Sequence, residues 1–171
     1  MDIKKILLIS IIAVAILASF TVVSAGLFDD LFNTEQPDNI VKVDNVKFNF
    51  TNESNVTKFK LENESKGDEG YVKYYFDENG DGYNIWIANV SKADDSQWNQ
   101  VVNQFDESLD NEPCETIDGV VVYTQSAGHG EHVGEPRFMS YTINHDLKTI
   151  VKFSTPTTND TVKMKLSLDF N

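Results

Sequence analysis

The sequence has few of the residues from which common catalytic and metal sites are built. Its 171 residues include one cysteine, three histidines and a single arginine. One cysteine excludes an internal disulfide framework and a four-cysteine zinc or iron–sulfur site. No serine stands in a Gly-x-Ser-x-Gly motif, and no phosphate-binding glycine loop occurs. The sequence therefore offers no motif of a hydrolase or a nucleotide-binding protein.

Basic residues are also scarce. The chain has 14 lysines and arginines against 27 acidic residues, a formal net charge of −13. Nucleic-acid affinity comes largely from basic side chains that displace counterions from phosphates. A chain this acidic, with no basic patch, is not expected to bind nucleic acid.

The first 25 residues predict an export signal or a membrane anchor. Lys4 and Lys5 precede a largely apolar run over residues 6–23, and Ser24 and Ala25 provide the small residues that a signal peptidase needs. Cleavage after Ala25 would release the remainder. Because the run is just long enough to span a bilayer, an uncleaved membrane anchor is the alternative. Both outcomes predict a secreted or cell-surface protein.

Removing residues 1–25 concentrates the acidity in the exported part. One acid and two lysines are lost, which leaves 26 acidic and 12 basic residues, a formal charge of −14. Residues 26–39 are predicted to form a linker, and residues 40–171 a globular domain. Such charge keeps an outward-facing domain soluble and attracts cations diffusely.

Alternating and β-branched patterns predict several strands. Two aromatic runs, residues 71–76 and 83–90, flank residues 77–82 and predict a hairpin with an Asn-Gly turn. The apolar stretch at residues 85–88 predicts a central strand covered on both faces. Further strands are predicted at residues 46–50, 120–124, 138–144 and 149–154.

One amphipathic helix is predicted after residue 94. Asp94, Asp95 or Ser96 can cap it, and apolar residues follow at helical intervals, namely Trp98, Val101, Val102, Phe105 and Leu109. Alternation over residues 162–170 predicts a last strand, although Asn159 and Asp160 could instead cap a terminal helix. The expected fold is a single α+β domain, with an antiparallel sheet covered by one main helix and an N-terminal signal or anchor helix before it.

Six Asn-x-Ser/Thr sequons indicate N-glycosylation of an exported chain. Polar segments rich in these residues also produce sequons by chance. The predicted acceptors are Asn49, Asn52, Asn55, Asn63 and Asn159, whereas Asn89, the sixth sequon asparagine, lies at a predicted strand end and is not among them.

Two loops contain candidate metal ligands. Asp77, Asn79 and Asp81, followed by Gly82, match positions 1, 3, 5 and 6 of a calcium loop. Position 12, normally glutamate, is Ala88, and strands replace the flanking helices. A solvated hairpin tip accounts for the same residues, because Asp, Asn and Gly favour tight turns.

The second loop, residues 128–135, is rich in glycine. His129, Glu131 and His132 could bind zinc, copper or nickel, with Glu135 or His145 completing the set. The spacing is not His-Glu-x-x-His, so a connection without metal is the alternative.

Cys114 and Arg137 are expected to have structural roles. Cys114 has no identified base and is expected to be a small buried or semi-buried residue. Arg137 is expected to form an ordinary surface ion pair.

The Met-Asp-Ile-Lys-Lys start, the long apolar signal, the acidic exterior rich in Asn and Asp, and the sequon clusters resemble small exported proteins of methanogenic archaea. The resemblance covers signal and composition only. It implies a surface protein with N-glycans and without disulfides, and it transfers no catalytic residue.

Two functions follow as expectations. The first is a non-enzymatic binding or structural module at the cell surface, with an envelope or extracellular partner of unknown identity. The second is a metal-binding protein or metal-dependent enzyme that uses the loop from His129 to Glu135, with a divalent metal as its cofactor.

Overall fold

The computed structural model describes residues 40–49, 58–127 and 133–170. The predicted signal or anchor and the predicted linker lie outside these residues. Within the described ranges, no helix is long and apolar enough to cross a membrane. The strands are β1 (Val41–Val43), β2 (Val46–Phe48), β3 (Phe59–Lys66), β4 (Tyr71–Asp77), β5 (Asn84–Asn89), β6 (Cys114–Ile117), β7 (Val120–Ser126), β8 (Pro136–Asn144), β9 (Thr149–Thr155) and β10 (Leu168–Phe170), and the helices are α1 (Asp95–Glu107) and α2 (Thr158–Ser167).

Seven strands form the main sheet in the order β3-β4-β5-β9-β8-β7-β6. Each neighbouring pair of these strands is antiparallel. The predicted α+β class with an antiparallel sheet is therefore confirmed. The prediction for residues 85–88 is also confirmed, because all four are buried between two layers.

Helix α1 covers one face of the main sheet. The Asp94 side chain caps it by accepting a hydrogen bond from the Gln97 backbone N–H, and the Gln97 side-chain oxygen accepts one from the Asp94 backbone N–H. Trp98, Val101 and Phe105 are buried against the sheet, and each contributes roughly 1.5–3 kcal/mol through burial. The prediction of this helix and its cap is confirmed.

A second layer on the opposite face contains a small sheet of order β1-β2-β10 together with α2. Its central contact is between the rings of Phe48 and Phe153, whose centroids are 5.6 Å apart in an edge-on arrangement. The β1–β2 turn is joined to β4, since Asp44 accepts a bond from Tyr71 and forms a 3.0 Å ion pair with Lys73. The main sheet is therefore enclosed between two layers.

The predicted strand over residues 162–170 is wrong for most of its length. Residues 158–167 form α2, and only residues 168–170 form a strand. Thr157, rather than Asn159 or Asp160, is the N-cap, and its side chain accepts a bond from the backbone of Asp160. The helix buries Val162 and Met164 but leaves Leu166 67% exposed, which a strand would have placed on the same face as Met164.

Candidate functional site

The strand register brings the hairpin of residues 77–83 and the start of β8 to one end of the main sheet. β4 ends at Asp77, β9 ends at Thr155 and β8 begins at Pro136, and all three lie at this end. The hairpin, residues 133–135 before β8 and the start of α2 therefore lie at one end. We call this region the loop end of the sheet.

The hairpin at the loop end exists, but its turn differs from the prediction. The backbone N–H of Asp77 donates to the carbonyl of Tyr83 at 2.9 Å, so five residues lie between the last paired positions. Gly80 and Gly82 have φ values of 75° and 85°, whereas Asn79 does not have a positive φ. A two-residue Asn-Gly turn needs positive φ at both positions, so the chain forms a longer loop.

Asp77 is a buried carboxylate in this loop. Its side chain is 2% exposed, and Oδ1 accepts a bond from the backbone of Asn79 at 2.8 Å. The other oxygen, Oδ2, is buried and has no hydrogen-bond partner in the described part of the chain. Leaving a buried polar atom unsatisfied costs about 1–3 kcal/mol, and more for a charged group. This oxygen therefore lacks the partner that a buried carboxylate oxygen normally has.

Tyr83 connects the hairpin to α2. Its ring is buried, and its hydroxyl donates a 2.8 Å hydrogen bond to Oδ2 of Asp160, in the first turn of the helix. Burial raises the pKa of the Tyr83 hydroxyl, and the hydrogen bond to Asp160 raises it further. The negative charges of Asp81 and Asp77 add to the same rise in pKa. Three carboxylates therefore act on one hydroxyl group.

Arg137 packs against the same hairpin. The side chain is 8% exposed and its guanidinium lies beside Gly82, where an added Cβ would be only 2.6 Å from Nη2. Nη1 donates to the carbonyl of Pro136 at 3.1 Å and lies 3.5 Å from Oε2 of Glu135. The expected ion pair forms, but the arginine is buried and not on the surface. Sequence spacing gave no indication of its contact with Gly82.

The histidine loop is only partly described. His129, Glu131 and His132 lie outside the described residues, and their role as metal ligands stays a prediction. Glu135 and His145 stand on either side of the nine-residue β8, about 30 Å apart, so they cannot bind one ion together. Nδ1 of His145 accepts a bond from Nε1 of Trp98 at 3.1 Å.

Across residues 40–49, 58–127 and 133–170, no group of three or more His, Cys, Asp or Glu side chains lies close enough to hold a metal ion. Cys114 is exposed at the start of the edge strand β6, so the expectation that it is at least partly buried is wrong. Cys114 is exposed because β6 is an edge strand, and no strand pairs with its outer side within the described chain.

A second polar cluster lies on the α1 side of the sheet. Lys152 is paired across the strands with Trp86 and Tyr141, and its Nζ is 5.7 Å from the centre of a Trp86 ring. Burial lowers the pKa of Lys152 to about 8, and the charge of Glu112 opposes this shift. A lysine between two buried apolar neighbours in a strand, Val151 and Phe153, was the signal in the sequence that could have revealed it.

The sequon asparagines differ in their surroundings. Asn49, Asn63 and Asn159 are exposed, whereas Asn52 and Asn55 lie outside the described residues. Asn159 is in α2, and the hydroxyl of its sequon partner Thr161 is buried and donates to the carbonyl of Phe138.

Asn89 is the half-buried sequon asparagine. Its Nδ2 donates to Oγ1 of Thr149 at 2.7 Å. This nitrogen is the atom to which a glycan would be attached.

Comparison of the chain with protein-family models, with curated proteins and with solved structures found no match.

Proposed function

We propose that this chain is an exported or membrane-anchored cell-surface protein whose outward domain carries N-glycans and acts by binding. The basic start, the apolar run and the small residues at Ser24 and Ala25 support export. The surplus of acidic residues suits a domain exposed to solvent and favours cationic ligands or partners.

The position of Asn63 is the observation that carries the proposal. It is exposed on β3, an edge strand of the main sheet, and a glycan there would extend into solvent without displacing a packed layer. Asn89 is the internal contrast, because its amide nitrogen is engaged with Thr149. A glycosylated chain is therefore expected to be modified at Asn63 and not at Asn89.

Both faces of the main sheet are packed against other layers, so a binding partner is expected at its ends or edges. The loop end is the strongest candidate, because it gathers the carboxylates of the hairpin and of α2. A metal-dependent activity of the histidine loop is the alternative. It is less favoured, because Glu135 already pairs with Arg137 and His145 lies at the other end of β8.

The test is expression of the full chain in its native host with N63Q and N89Q variants. We expect the wild-type chain in the membrane or external fraction. The N63Q variant should migrate faster on a gel than the wild type, by the shift that the loss of one glycan causes. N89Q is the matched control and should migrate as the wild type. A chain retained in the cytoplasm, with identical mobility for all three, would refute the proposal. Metal analysis of the same preparation should show no stoichiometric zinc, copper or nickel.

A further inference from the structure

We propose that the loop of residues 77–82 binds Ca²⁺, with oxygen ligands from the side chains of Asp77, Asn79 and Asp81. The proposed function does not require this site, and its test on purified protein does not depend on where the protein is located.

The buried oxygen of Asp77 is the first argument. A carboxylate that is 2% exposed would normally have both oxygens paired, yet Oδ2 has no partner among the described residues. Oδ1 accepts the backbone N–H of Asn79, which turns the carboxylate toward the loop. A bound cation would satisfy Oδ2 and neutralise a charge that is otherwise costly to bury.

The spacing of the ligands is the second argument. Oxygen-bearing side chains at alternate positions, followed by glycine, allow a short loop to surround one ion. Gly80 and Gly82 both have positive φ and reverse the chain there. Asp77 and Asp81 lie four residues apart in this loop, and the negative charges of both raise the pKa of the Tyr83 hydroxyl.

The composition of the loop selects the ion. Hard oxygen ligands favour Ca²⁺ over zinc or copper, and Ca²⁺ tolerates irregular geometry better than Mg²⁺, which retains its waters. Ala88 at position 12 removes the usual bidentate glutamate, and no third acidic ligand is within reach in the described part of the protein. Backbone carbonyls and water must complete the shell, so we expect a dissociation constant of about 10⁻⁴–10⁻³ M.

Arg137 limits this affinity. Its guanidinium packs beside Gly82, although no ion pair joins it to Asp77 or Asp81 among the described side chains. The positive charge of a guanidinium beside the loop repels a cation bound in it. The site is therefore expected to be weak, and it matches the millimolar calcium range of extracellular modules.

The test is calorimetric titration of the full-length chain with CaCl₂ and, separately, MgCl₂. We expect saturable binding of one Ca²⁺ and much weaker binding of Mg²⁺. D81N should weaken Ca²⁺ binding by at least about tenfold, because it removes a charged ligand. E78Q is the matched control, since Glu78 lies in the same loop and is exposed but occupies no ligand position. It should change the affinity by less than about twofold.

A second variant separates ligation from folding. D77N removes a buried charge, so it should raise the Tm measured without calcium and abolish the rise in Tm that calcium causes in the wild type. Absence of binding at about 10 mM CaCl₂ would overturn the proposal. Equal weakening by E78Q and D81N would also overturn it, because it would indicate diffuse attraction of cations. If D77N does not fold, the comparison of D81N with E78Q decides.

Discussion

The hydroxyl of Tyr83 donates a 2.8 Å hydrogen bond to Asp160, although the two residues are 77 positions apart in the sequence. The bond joins the β4–β5 hairpin to the first turn of α2. The same Asp160 oxygen also accepts a bond from the Thr157 side chain, which caps the helix. The helix terminus and the hairpin are therefore stabilised together.

Y83F removes this connection without changing the ring. We expect it to lower the free energy of unfolding by about 1–2 kcal/mol, because the charged carboxylate of Asp160 loses the hydrogen bond that the Tyr83 hydroxyl donates. Urea denaturation measures the loss. A double-mutant cycle with D160N should give a coupling energy of about 1 kcal/mol between the two side chains. A coupling energy near zero would show that the bond does not stabilise the fold.

The two hairpin glycines separate backbone strain from packing. G80A should lower the free energy of unfolding by about 1 kcal/mol, because Gly80 has a φ of 75° that an alanine adopts only with strain. Packing adds nothing to this loss, since no atom lies within 4 Å of an added Cβ. G82A should lower the free energy of unfolding by more, about 2–3 kcal/mol, since its Cβ would also collide with the buried guanidinium of Arg137. Thermal and urea unfolding of both variants provide the comparison. Equal losses would mean that Arg137 moves aside freely.

Lys152 is expected to make stability depend on alkaline pH. Its pKa in the folded protein is lowered to about 8 from 10.5, so between these values the unfolded chain binds more protons than the folded one. Stability should therefore rise with pH, by about 1 kcal/mol from pH 7 to pH 9. Closer to pH 10 the raised pKa values of five tyrosines act in the opposite direction, because an unfolded tyrosine loses its proton near its ordinary pKa of about 10 whereas the folded one keeps it.

K152M should abolish this rise while keeping the aliphatic packing beside Trp86. K92M is the control, because Lys92 is exposed, and it should retain the wild-type pH profile. Urea unfolding at intervals between pH 7 and pH 9 measures all three proteins. A wild-type profile that is flat between pH 7 and pH 9 and matches that of K152M would contradict the lowered pKa of Lys152.

Local patterns were sufficient to predict the elements that local sequence determines. The apolar run of β5 and the cap and apolar stripe of α1 each depend on residues close together in the chain, and both predictions are confirmed. The strand predicted over residues 162–170 was wrong because the alternation of Val162, Met164 and Leu166 matches a strand. The terminal helix, which was the alternative, depends on the Thr157 cap and on packing over β7, β8 and β9. Tertiary contacts therefore determine the secondary structure of residues 158–170.

The residues of the candidate site could be predicted from the sequence, but their surroundings in the fold could not. Asp77, Asn79 and Asp81 were identified from their spacing alone. Neither Tyr83 nor Asp160 has a motif, and their contact depends on α2 returning to the loop end. The packing of Arg137 on Gly82 likewise requires the order β5-β9-β8 in the sheet, which no local pattern specifies.

Export and N-glycosylation of the chain are tested most directly by the intact mass of the protein purified from native membranes and medium. We predict a mass above that of the polypeptide by at least one glycan, with the glycopeptide containing Asn63 modified and the one containing Asn89 bare. An unmodified 171-residue polypeptide, recovered from the cytoplasm with Met1 and the apolar run intact, would contradict both export and glycosylation.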